Sequence, residues 1–264
     1  MTPDHPPSQA NALAALKSLA GWWEDAGITV DIPPAPPAAL RKSAPERKAA
    51  PAAPAVKSAP AGPEKPAQDA RAMAGAATDI AALKAAVESF DGCDLKRTAR
   101  NTVFARGNHE APLMVIGEGP GQDEDREGLP FVGRSGQLLD RMLAAIGLDE
   151  TSAYITNVVF WRPPGNRKPS TEEIEICRPF VERHIALAKP RLILLAGGIS
   201  TQAMLKTPQG IMALRGRWSQ VTVEGHSTPA LPIFHPAFLL RRPQEKAKAW
   251  ADLLSLQEKL EELG

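Results

Sequence analysis

Cysteine is scarce: the 264-residue chain has two, Cys93 and Cys177, far apart in sequence. They cannot form the disulfide framework of a small secreted domain, so a reducing, cytoplasmic compartment is expected. No apolar run approaches membrane-spanning length, and the opening "MTPDHPPSQANALAALK" lacks a basic leader followed by an apolar segment. Neither a membrane anchor nor a secretory signal is expected. Charge of one sign is missing too. With 31 Lys and Arg against 30 Asp and Glu, the formal net charge is +1, so bulk electrostatics neither recommends nor excludes a nucleic-acid partner. Any such site must come from local placement.

Between about Ile32 and Ala67 aromatic residues are absent and large aliphatic ones rare; Pro, Ala, Lys and Arg dominate. Such a stretch buries too little apolar area to offset its ordering entropy. It divides the chain into an amphipathic helix within 1–31, a Pro/Ala-rich disordered linker over 32–76 and a main domain over 77–264. In "NALAALKSLAGWWEDAG", Leu13, Leu16, Leu19 and Trp22 or Trp23 share one helical face and Gly27 supplies a stop. This helix packs on the main body or another copy, or docks into a groove on a protein partner.

What the main domain has is alternation. "LMVIG" (113–117), "AYITNVVF" (153–160), "RLILLAGG" (191–198) and "ALPIFH" (230–235) read as strands. Helices are expected near 134–147, over 171–188 with Ser170 or Thr171 as cap and Glu173 nearby, after Gly198, and along the C-terminal "PQEKAKAWADLLSLQEKLEEL". Short apolar strands alternating with helices predict an α/β fold, a three-layer αβα arrangement around a mostly parallel four-stranded sheet. Ligands of such sheets bind beyond the carboxyl ends of the strands. Glu118, Asn157, Gly197, Gly198 and His235 all fall there.

The run "GEGPGQDEDREGLPFVG" (117–133) is the most unusual in the chain, with five glycines, two prolines and five acids. A dinucleotide loop needs bare amides facing a pyrophosphate. Pro120 removes one donor, the acids would repel a polyphosphate, and no Lys-Ser or Lys-Thr pair follows. The other reading has the glycines allowing close approach to a flat neutral ligand, with Glu118 aimed at a reacting centre and Phe131 as a stacking face. A side-chain amide at Asn157, one donor beside one acceptor, matches O4 and N3 of uracil. Cytosine would leave both groups mismatched, at about 1–3 kcal/mol each.

In combination, "GEGPGQDEDREGLPFVGRSGQLLD", "YITNVVFWRPPGNR" and "HPAFLLRRP" resemble the type 4 uracil-DNA glycosylases of the uracil-DNA glycosylase superfamily, over about residues 88–262. The resemblance implies a DNA glycosylase that hydrolyses the N-glycosidic bond of uracil in DNA, leaving an abasic site for base excision repair. It implies Glu118 as the acid that orients water or stabilises the cationic sugar, and His235 as the group binding uracil O2 as negative charge develops. Gly117, Phe131 and Asn157 would hold the base. Leu239 or Leu240 would be the wedge in the vacated stack, with Arg241 or Arg242 near phosphates and Arg162, Arg167 and Lys168 as further candidates for DNA contact. A monomer acting on uracil-containing DNA is expected. A non-catalytic uracil-DNA-binding or scaffold paralogue is the alternative.

One departure stands out. The resemblance implies a [4Fe-4S] cluster on four cysteines, but the matching positions read Phe90, Cys93, Trp161 and Cys177. Two thiolates are half a ligand set. No cofactor is expected, with aromatic packing filling the former cluster volume, the cluster being the alternative. The superfamily's branch that traps DNA covalently uses a histidine in an inserted basic loop, and none follows "VVFWRPPGNRKPS".

Overall fold

A computed structural model describes residues 64–263. The expected helix within 1–31 and the linker as far as residue 63 lie outside the described residues. The last thirteen residues assigned to the linker are a correction: α1 runs Glu64–Ala76. Its buried side chains are Ala70 and Ala74, joined by Ala77 just beyond its end. Alanines carry almost no hydrophobic signature in sequence, yet they let a neighbouring helix approach closely. The Arg183 guanidinium fixes the end of this segment by donating to the Ala77 carbonyl at 3.0 and 2.8 Å.

Helices α2 (Ile80–Ser89) and α3 (Leu95–Thr98) follow, then β1 (Arg106–Gly107) and β2 (Leu113–Gly117). Next come α4 (Gln122–Glu127), α5 (Arg134–Ala144), β3 (Ala153–Asn157) and α6 (Thr171–Ala188). The chain continues through β4 (Leu192–Ala196), α7 (Gly198–Leu205), α8 (Ile211–Leu214), β5 (Ser219–Val223) and β6 (His226–Ile233). It closes with α9 (Pro236–Arg241) and α10 (Lys246–Leu263).

The sheet order is β1-β3-β2-β4-β6-β5. Its four central strands are parallel, as expected. Two antiparallel edge strands extend the predicted four to six. They lack the signal that marked the others: β1 is two residues long, and β5 alternates exposed residues with buried Val221 and Val223. β3 stops at Asn157, shorter than the apolar run to Phe160.

Residues of alternating parity on each central strand serve opposite faces. Met114, Ile116, Tyr154, Ile193 and Leu195 join one core cluster with Leu83 and Val87 of α2 and Phe180, Val181 and Ile185 of α6. The opposite parity, Leu113, Val115, Leu192 and Leu194, is equally buried, as are Leu138, Leu139 and Met142 of α5 and Leu253 and Leu256 of α10. Three layers result. Ser170 opens α6 with the expected capping box: its hydroxyl accepts from the Glu173 amide at 3.1 Å, and the Glu173 carboxylate accepts from the Ser170 amide at 2.7 Å. No helix among the described residues is long and apolar enough to cross a membrane.

Candidate active site

Beyond the carboxyl ends of the parallel strands lies a pocket of about 440 Å³ lined by Glu118, Phe131, Asn157, Lys168, His235 and Arg241, among others. Each arrives there by a local cause. Glu118 is the first residue past β2, and Asn157 is the last of β3, in register with Gly117. A Cβ on Gly117 would sit 2.4 Å from the Asn157 Oδ1 and 2.5 Å from the Phe131 ring. Only glycine leaves both groups room to converge.

Phe131 has φ of 55°, in the left-handed region. For a side chain of this size that costs roughly 1–2 kcal/mol, so the surroundings must hold it there. Arg106 donates to the Pro130 carbonyl at 2.8 Å and to the Phe131 carbonyl at 3.2 Å. Gly136, the third residue of α5, lies so near the Phe131 carbonyl that a Cβ would come within 1.7 Å of its oxygen.

The "HPA" sequence is a helix start. His235 is the N-cap of α9, Pro236 occupies the first turn, where its missing N–H is not needed, and the His235 Nδ1 accepts from the Ala237 N–H at 3.1 Å. That bond fixes the tautomer: Nδ1 is the acceptor, so in the neutral ring Nε2 carries the proton. Burial, with the Arg241 cation adding to it, pushes the His235 pKa down to about 4. At neutral pH it is an uncharged N–H donor. Gly197, at φ of 100°, closes in from β4, and a Cβ there would lie 2.9 Å from the His235 Cβ.

The Asn157 side chain is 2% exposed and makes no hydrogen bond with another of the described residues, although it lines the pocket. Its amide opens onto the pocket rather than being sealed in the core, which leaves its donor and acceptor available to a ligand. Burial raises the Glu118 carboxyl pKa above the usual 4.5, opposed by Lys168 and then Arg241. The result is one carboxylate, one neutral donor, one amide and one aromatic face around a single cavity.

The other sequence candidates divide. Arg167 lines the pocket but its guanidinium forks onto Glu173 at 2.8 and 2.6 Å, bracing the start of α6. Arg162 lies outside the pocket lining, donating to Asn166 at 2.6 Å and facing Asp125 at 3.9 Å. Leu239 is a correction: it is fully buried, a core side chain of α9, so it cannot be the wedge as it stands. Leu240 is half-buried and Arg241 exposed. Arg106 and Glu124 were not singled out by sequence; they act on backbone groups, which leaves no pattern in spacing.

Phe90, Cys93, Trp161 and Cys177 are all buried members of the same large core cluster. Phe90 packs edge-on against Phe180 at 5.1 Å, and the Trp161 indole donates to Thr102 at 3.0 Å. The two thiols influence one another: Cys177 lowers the Cys93 pKa, while Cys93 together with burial raises that of Cys177. Two sulfurs and two rings do not fit a four-thiolate cluster, and among the described residues no group of three or more His, Cys, Asp or Glu side chains could hold a metal ion. His184, buried in α6, bonds the Tyr154 hydroxyl at 2.7 Å and stacks on Phe104, a structural role.

Comparison with known proteins agrees with this geometry. The family model for the Uracil DNA glycosylase superfamily matches residues 104–254. The type-4 uracil-DNA glycosylase of Archaeoglobus fulgidus is 38% identical over 170 residues, covering 63% of this chain and 85% of that protein. Those of Pyrobaculum aerophilum and Saccharolobus solfataricus are 35% and 36% identical over 179 residues, covering 66% of this chain and 91% and 83% of theirs. With its three-layer fold, its strand-end pocket and a family match over more than half its length, the chain belongs to the Uracil DNA glycosylase superfamily.

Proposed function

We propose that the chain is a monofunctional glycosylase that removes uracil from DNA, as the names of its type-4 relatives say of them. The observation that carries this reading is Asn157: a side-chain amide that opens onto the pocket with no hydrogen-bond partner among the described residues, in a lining shared with an aromatic face and a neutral histidine donor. A flipped uracil stacks on Phe131 and presents O4 and N3–H to that amide. The bond between sugar C1′ and base N1 breaks with its electron pair going to the base. The His235 Nε2–H then donates to O2 as negative charge grows there. Glu118 faces the cationic sugar and orients the water that adds at C1′; the proton this water gives up neutralises the uracil anion, and the products are uracil and an abasic site, the entry to base excision repair. Arg241 and Lys168, on the pocket rim, supply positive charge for the flanking phosphates.

No step in this scheme passes through a metal cluster, and we infer that none is held at Phe90, Cys93, Trp161 and Cys177. That departure from a four-cysteine site gives a second reading some footing: a paralogue that binds uracil-DNA without cutting it. Incubation with a uracil-containing oligonucleotide followed by alkali separates the two. Strand cleavage supports the glycosylase, whereas retarded migration of uracil-DNA with no base released supports the binder.

A further inference from the structure

The acid-rich run that looks hostile to anions holds an anion of its own. Glu124 lies in the six-residue α4, 8% exposed, and its carboxylate accepts three backbone N–H groups: Gly121 at 3.0 Å through Oε2, and Val132 at 3.1 Å and Gly133 at 2.9 Å through Oε1. The first belongs to the loop that carries Glu118. The other two immediately follow Phe131. A Cβ on Gly121 would come within 2.8 Å of this carboxylate, and one on Gly133 within 3.3 Å, so the glycines at both places clear the space it fills. The loop cradles an anion with its amides, as a phosphate loop does, but the anion is a side chain of the same loop.

We propose that Glu124 is a positioning residue for base excision: by tying Gly121 to Val132 and Gly133 it fixes the Phe131 platform at its strained backbone angle and at a set distance from Glu118. Charge-assisted bonds to three amides are stronger than neutral ones, which suits a clamp that must hold a strained residue. Arg106 holds the same residue from the other side, on the Pro130 and Phe131 carbonyls. Glu124 touches no substrate atom; it acts through Phe131 and the Glu118 loop. The proposal rests on the glycosylase reading above.

The test compares Glu124→Gln and Glu124→Ala with wild type. Glutamine keeps one acceptor for Val132 and Gly133 but turns an N–H₂ toward Gly121, whereas alanine abandons all three amides. Single-turnover uracil release is expected to fall about tenfold in the first and about a hundredfold in the second, as misplacement near a reacting centre does. Affinity for uracil-free DNA stays within about twofold, because the rim cations are untouched. Unchanged cleavage in both variants would overturn the proposal while leaving the glycosylase reading intact, as would a loss of cleavage that only tracks loss of DNA affinity and of thermal stability. Should wild type release no uracil, the glycosylase reading falls and hydrogen exchange decides for Glu124. Fast exchange at the Val132 and Gly133 amides of the glutamine variant, with β2 and β4 still protected, supports the clamp, and retained protection at both amides overturns it.

Discussion

The Phe131 and His235 rings lie nearly parallel, with centroids 5.6 Å apart and 25° between their planes. Both rings line the same pocket, as the proposed stacking and charge stabilisation of a single base require. Phe131→Ala removes the face. Base stacking on an aromatic contributes about 1–3 kcal/mol, so kcat/KM for uracil-DNA should fall by roughly ten- to a hundredfold. Phe131→Tyr, which keeps the face, should retain most of the activity; steady-state kinetics on a short oligonucleotide checks both.

The pH dependence has two parts, one in activity and one in stability. His235 is neutral in the folded chain down to about pH 4, so the acid limb of activity belongs to Glu118, with its midpoint above the usual 4.5. For stability, the unfolded chain protonates His235 near 6.5 while the folded chain does not until about 4. Stability therefore drops as pH falls through that window, by roughly 1.4 kcal/mol per pH unit. His184, held at about 3 by burial, adds in the same direction. Glu118 opposes them, because its raised pKa favours the protonated form in the folded state. Between pH 4 and 6.5, stability from urea unfolding should vary less steeply with pH in His235→Asn than in wild type; equal slopes would refute the neutral histidine.

Leu239 and Leu240 separate core from surface within one short helix. Leu239→Ala creates a cavity in the core and should cost about 2–5 kcal/mol, with little effect on cleavage once the protein is folded. Leu240→Ala should leave the melting temperature nearly unchanged and slow release from double-stranded DNA more than from single-stranded DNA, since only the duplex has a stack to refill. Melting curves and parallel cleavage assays distinguish them.

Metal chelation offers a further check. With Phe90 and Trp161 packed where thiolates would be needed, chelator treatment should change neither melting temperature nor cleavage, and protein purified without oxygen should carry no stoichiometric iron. Broad visible absorbance with iron bound would contradict the packing account.

Much of the site was legible because its chemistry sits in side chains at strand ends. Glu118, Asn157 and His235 could be placed in one pocket from the ends of apolar runs alone, and the αβα layering from their alternation with helices. Other features were hidden for identifiable reasons. The helix α1 buries alanines, whose small apolar faces look like linker composition. The edge strands β1 and β5 are too short or too exposed to show an apolar run. Leu239 and Leu240 are adjacent residues of the same type, and only helical phase decides which one turns inward. Arg106 and Glu124 work on backbone carbonyls and amides of Phe131 and its neighbours, contacts that follow from a bend at a positive φ rather than from any motif. The glycines of 117–133 are expected from the sequence to make room for a flat ligand, whereas the space at Gly121 and Gly133 is filled by Glu124.

The central claim is that Glu118 and His235 act on opposite halves of one breaking bond, and single-turnover cleavage tests it most directly. Oligonucleotides carrying uracil, hypoxanthine, xanthine or a thymine mismatch would be tried side by side with wild type, Glu118→Ala and His235→Ala. The account predicts release of uracil by wild type and a loss of at least about a hundredfold in each variant, as removal of one charge-stabilising group costs elsewhere, with folding and DNA affinity retained. Uracil release by both variants at the wild-type rate would contradict it.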